Sequence, residues 1–176
     1  QAGLKVAGID ISGMALVRAL IPQTSFLADV SEGSVCRAIA DISSSVSTLV
    51  VAVGDVLKFT RIINFSSDRF ARVLGEQLGV PLDDAHGLAQ KVGLPGPLPA
   101  EEDVYTEEVL ADAQQRLLEV ASELSDEIRR SLHYYQGQPS AVAATELILS
   151  GRGALVRNLD SHLTEALNIP VIIGNP

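Results

Sequence analysis

The stretch Ala40-Asp41-Ile42-Ser43-Ser44-Ser45-Val46-Ser47-Thr48 places a carboxylate at the end of an apolar run and a series of small hydroxyl residues directly after it. Turn amides and hydroxyls in this arrangement can cradle a phosphate, and a carboxylate at a strand end can hold Mg²⁺ through water. Serine-rich turns are also common, so on the residues alone a polar hairpin turn is the favoured reading. A second stretch, Leu149-Ser150-Gly151-Arg152-Gly153-Ala154-Leu155, puts two glycines after an apolar run and ahead of a helical segment. Glycines there let a ligand approach the backbone, and a helix N-terminus favours an anion. A plain strand-to-helix connection explains the same letters equally well.

Other reactive residue types form no pattern. Cys36 is the only cysteine, so an internal disulfide is impossible; its apolar context reads as a buried small hydrophobe. His86, His133 and His162 fall in three separate helical segments, without Cys or Glu at metal-ligand spacing, and read as surface residues. Asp160-Ser161-His162 carries the letters of a hydrolytic triad, but consecutive helical residues point in different directions.

Composition narrows the function classes. The chain has 176 residues, 47% of them hydrophobic and only 4% aromatic, so the core is built from Leu, Val, Ile and Ala. A formal net charge of −9 repels phosphate backbones and argues against nucleic-acid binding. No apolar run reaches the ~18 residues of a membrane span. The first residues lack the basic and apolar regions of a signal peptide. Beginning at Gln1 without Met, the sequence reads as a piece of a longer protein.

The two stretches are positioned by a recognisable series of elements. Leu4 to Asp10 reads as a strand, and Ser12 as the cap of a short helix ending before Pro22, with a linker over Pro22 to Ser25. Val35–Ile42, Thr48–Val53 and Val56–Ile63 read as an antiparallel meander, with Gly54-Asp55 as its second turn. Alternation in the third strand predicts Leu57, Phe59 and Arg61 on one side and Lys58, Thr60 and Ile62 on the other. Ser66 reads as the cap of a helix carrying Phe70, Val73, Leu74 and Leu78 and stopping at Gly79. Pro81 sits in the first turn of another helix ending near Gly93, and a proline-rich connection follows to Glu102. Leu110, Ala113, Leu117, Ala121, Leu124, Ile128, Leu132 and Tyr135 recur at steps of three and four, which predicts one long helix capped by Thr106 and ended by Gly137 and Pro139. Glu146–Leu149 is a strand, Asn158–Leu167 a helix and Pro170–Ile173 a final strand. The fold class is α/β.

The two loops occur in the order and approximate separation seen in the actin-like ATPase superfamily, where they resemble the second phosphate loop and the adenosine loop. Three further stretches look like the PilM family of type IV pilus assembly proteins: Ala2-Gly3-Leu4 through Leu20, Glu127-Ile128-Arg129-Arg130-Ser131-Leu132-His133-Tyr134-Tyr135, and Leu149 through Asp160. The resemblance covers nearly the whole chain. It implies an actin-like (ribonuclease H-like) lobe with a mixed sheet, flanking helices and a small helical subdomain. Residues 1–22 would be the end of lobe one and the interlobe connection, and residues 23–176 lobe two, with the smaller subdomain around 66–105.

The resemblance also implies a nucleotide site whose contributors here are Asp41, Ser43, Ser44, Ser45, Ser47, Gly151, Arg152, Gly153 and Ala154, with Asp41 holding a metal through water. ATP and Mg²⁺ are expected only in the full-length protein and not tightly on this chain, because lobe one carries the other phosphate loop. The family pattern has Gly where Ser43 stands, a glycine run where Arg152 interrupts, and Glu and Lys where His86 and Ala89 stand. Those departures imply a weakened or lost nucleotide site, no complete ATPase site, and a scaffold role at the cytoplasmic face of the membrane. The implied partners are a PilN-like bitopic protein, other pilus assembly proteins and further copies of the chain. The alternative is a working nucleotide-binding ATPase or switch of the pilus or cell-division type. An FtsA-like relative would need a C-terminal membrane helix, and Pro176 comes before any.

Overall fold

The computed structural model describes residues 8, 10–21, 35–96 and 106–174. The elements are α1 (Ser12–Leu20), β1 (Cys36–Ile42), β2 (Ser47–Val53), β3 (Val56–Ile63), α2 (Asp68–Leu78), α3 (Leu82–Val92), α4 (Glu107–Gln136), β4 (Glu146–Ser150), α5 (Leu159–Leu167) and β5 (Val171–Ile173). A 3-10 turn, Arg152–Leu155, joins β4 to α5. They form one mixed sheet in the order β3-β2-β1-β4-β5. β1, β2 and β3 make the antiparallel meander, while β4 runs parallel to β1 and β5 parallel to β4. The expected strands from Leu4 to Asp10 and the linker at Pro22 fall largely outside the described residues, as does the connection beyond Gly96.

The central strands read as continuous apolar runs because helices cover both faces. On one face Ile42, Leu49, Val51, Leu147 and Leu149 are fully buried against the α4 stripe of Leu117, Ala121, Leu124 and Ile128. Ile39, Val50, Ala52 and Ile148 point to the other face, beneath Val17 and Ile21. Burying each such Leu or Ile side chain contributes about 1.5–3 kcal/mol before entropy is subtracted. Thr106 caps α4 as expected, its hydroxyl accepting from Val109 N at 3.5 Å.

Several local expectations change. Leu57 and Phe59 lie on opposite faces of the sheet, Leu57 toward α1 and Phe59 toward α4. The cause is a bulge: Val51 pairs with Phe59 but Ala52 pairs with Leu57, so Lys58 is an extra residue that resets the alternation. Ser12 does not cap α1; Ile11 holds that position, and its amide donates to Asp10 Oδ1 at 2.9 Å. Pro81 stands at the N-cap of α3 rather than inside its first turn. Asn158 precedes α5 in the left-handed region, φ 63°. Two histidines are not surface residues. The His86 side chain is only 14% exposed, beside Asp68. His162 is half-buried between α4 and α5.

Candidate functional site

The two loops meet at one end of the sheet. β1 and β4 are parallel neighbours with Asp41 opposite Ser150, so the residues that follow each strand leave the sheet side by side. The approach is tight. Gly151 has φ 79° and ψ 177°, and a Cβ there would lie 2.7 Å from both Asp41 Oδ1 and the Ile42 carbonyl oxygen. A Cβ on Gly153 would fall on the Ile42 side chain. The position a Cβ would take at each of these glycines is therefore occupied by β1. Their local requirement is loop-against-loop packing, with the backbone conformation of Gly151 as a second reason.

Within the first loop the serines divide by role. Ser43 Oγ donates to Asp41 Oδ2 at 2.8 Å. Its backbone is not in the left-handed region, so a side chain is tolerated where the family has Gly. Ser44 and Ser45 are exposed at the tip. Ser47 is fully buried and donates to the Phe65 carbonyl at 2.9 Å, which ties the hairpin to the end of β3. In the second loop Arg152 is exposed and pairs with no carboxylate among the described residues, while Gly153 and Ala154 are buried. Of the sequence candidates, Asp41, Ser43, Gly151 and Gly153 are thus brought together, Ser44, Ser45 and Arg152 lie exposed on the two loops, and Ser47 faces inward.

Sequence reasoning placed a helix start at Ser66 but missed its contact with the first loop. Ser67 N donates to the Ser43 carbonyl at 2.9 Å, and Ser66 Oγ donates to the Ser44 carbonyl while accepting from Asp68 N at 3.1 Å. Ser66 therefore caps α2 through its hydroxyl, although the helix begins at Asp68 with Ser67 in the cap position. Ser67 Oγ and Asp68 Oδ1 are buried without a hydrogen bond. Asp68 Oδ1 lies 3.4 Å from His86 Nε2, within ion-pair reach but outside hydrogen-bond geometry. Ala89, the other family departure, is 3% exposed in the core. The run Ser66-Ser67-Asp68 was legible as a helix start; its contact with the Ser43 loop was not.

Asp41 supplies the carboxylate of the two loops, and its Oδ2 accepts from Ser43 Oγ. Among the described residues no group of three or more His, Cys, Asp or Glu forms a protein cage for a metal.

A model of the family described as type IV pilus assembly protein PilM matches residues 1–176. The chain belongs to the PilM family. Its fold is that of actin-like proteins. It is similar to the structure titled PilM-PilN type IV pilus biogenesis complex, with TM-score 0.71 and 23% identity over 99% of this chain and 44% of that one. It is also similar to MreB5 of Spiroplasma citri bound to ADP, with TM-score 0.66 and 16% identity over 93% of this chain and 54% of that one. An archaeal actin homolog in complex with ADP gives TM-score 0.56 and 15% identity over 93% and 49%. The PilM-family chain thus spans about half the length of these proteins. Among the described residues no helix is long and apolar enough to cross a membrane.

Proposed function

We propose that this chain is lobe two, residues 23–176, of a PilM-type scaffold, preceded by the end of lobe one over residues 1–22. The scaffold works at the cytoplasmic face of the membrane by holding a PilN-like bitopic partner and other assembly proteins, with self-association as a further contact. Its nucleotide site is weakened. The observation that carries this reading is the family match over residues 1–176, with the hydroxyl of Ser43 held by Asp41 in the first loop. Asp41 and the residues 43–45 and 151–154 would still face ATP and Mg²⁺ in the full-length protein. Asp41 would hold the hydrated metal, which supplies charge neutralisation at the phosphates, and Arg152 would reach toward a phosphate. Ser47 is left to hold the hairpin.

A second reading, a nucleotide-dependent switch, is favoured by one feature: Arg152 is exposed and unpaired among the described residues, on the loop packed against Asp41. The two readings separate in one experiment. The affinity of the full-length protein for the cytoplasmic tail of a PilN-like partner is measured with and without ATP–Mg²⁺, and again in Asp41→Asn. The scaffold reading expects the same affinity throughout. A change of about fivefold or more, the size of ordinary allosteric coupling, selects the switch.

A further inference from the structure

We infer that the helical pair α2–α3 is locked to both candidate loops and opens with them as one unit, rather than swinging as a separate subdomain. The start of the pair is stitched to the first loop: Ser67 N donates to the Ser43 carbonyl at 2.9 Å, and Ser66 Oγ donates to the Ser44 carbonyl. The end of the pair is stitched to the residues that follow the second loop. Arg157 Nη2 donates to the Val92 carbonyl at 2.8 Å, Asn158 Nδ2 donates to the Leu94 carbonyl at 2.9 Å, and Leu94 N donates to the Arg157 carbonyl at 2.9 Å.

The second stitch is built for close approach. Gly93 has φ 63°, and a Cβ there would lie 2.6 Å from Arg157 Cβ and 2.7 Å from its carbonyl oxygen. A Cβ on Gly96 would meet the Asn158 amide. Asn158 itself holds a left-handed conformation, φ 63°, which a side chain adopts at a cost unless its contacts hold it there. Leu94, between the two glycines, is 1% exposed, so this segment is anchored in the core and does not hang as a free tether. Gln114 Nε2 also donates to the Val92 carbonyl, at 3.4 Å, which ties the same point to α4.

Between its two ends the pair closes on itself. His86 on α3 faces Asp68 at the start of α2. An element fastened at both ends, with its exit buried, has no low-energy hinge, because motion at one end breaks hydrogen bonds at a loop. Arg157 and Asn158 are thus positioning residues: they hold the exit of α3 against the residues that directly follow the second loop. The inference is independent of whether the loops take a nucleotide, and its test uses none.

Native-state hydrogen exchange on the full-length protein, over a series of low denaturant concentrations, reads three amides. Ser67 reports the first stitch, Leu94 the second, and Ala154, whose amide donates to the Gly151 carbonyl at 3.1 Å, the glycine turn. One unit gives all three the same opening constant, within about threefold, and the same denaturant dependence. Ser67 or Leu94 opening ahead of Ala154 by more than that overturns the inference. In Arg157→Ala the exchange of Leu94 and Ala154 should rise together, and Arg157→Lys, which keeps a donor for the Val92 carbonyl, should bring both back. A rise confined to Leu94 would show that the stitch holds only itself.

Discussion

His162 Nε2 lies 3.1 Å from Ser125 Oγ, and that hydroxyl gives its proton to the Ala121 carbonyl at 2.8 Å, so Nε2 is the donor between them. Burial lowers the His162 pKa from its ordinary value, and Glu165 and the Ala121 carbonyl oppose this more weakly. The folded state therefore favours the neutral ring. Above the unfolded value near 6.5 both states are neutral and the stability is fully present; as pH falls below it the unfolded chain binds the proton first and stability is lost. Denaturation midpoints should fall as the pH drops below about 6.5, and His162→Gln should flatten that part of the profile. An unchanged profile would mean the ring is as well solvated folded as unfolded. The sequence had His162 on the surface, because helical periodicity shows which residues share a face but not how close α5 packs to α4. The candidate site was more legible. Asp41 ends a strand and Gly151 follows one, and both signals are local. Ser47 was grouped with its neighbouring serines because nothing in a hairpin turn shows that one hydroxyl points back toward Phe65.

At the scale of elements, α4 is the support on which the sheet rests. Leu117 and Leu124 are fully buried in its apolar stripe. Truncating either to Ala should cost about 2–5 kcal/mol through lost burial and a residual cavity. Chemical denaturation reads this as a lower midpoint with an unchanged slope. Unchanged midpoints in both variants would mean that the stripe does not carry the core. The stripe was plain from its steps of three and four, and the three strands of the meander from β-branched residues around Gly54-Asp55. The faces of β3 were misjudged because a bulge leaves no mark in an eight-residue strand: Lys58 looks like an ordinary outward residue, yet it shifts Leu57 to the opposite side from Phe59. Caps were uncertain by a residue for a similar reason, since Ile11, Ser12, Ser66 and Ser67 all stand where a helix can begin.

At the scale of the whole molecule, the PilM family and the actin-like fold account for why loops about a hundred residues apart in sequence share one end of the sheet. No local pattern announces that β4 inserts beside β1; that pairing spans α2, α3 and α4. The apolar run before Gly151 marked Glu146–Leu149 as a strand, and the resemblance implied a mixed sheet, but neither named β1 as its neighbour. The central claim, proposed above, is that the site built from those loops holds nucleotide weakly. Ser43 has lent its hydroxyl to Asp41, and a formal charge of −9 opposes a polyanion. The most direct test is a calorimetric titration of the full-length protein with ATP–Mg²⁺ at low salt, where attraction is least screened. The account predicts a dissociation constant weaker than about 10 μM, corresponding to roughly −7 kcal/mol. Binding tighter than that would contradict it.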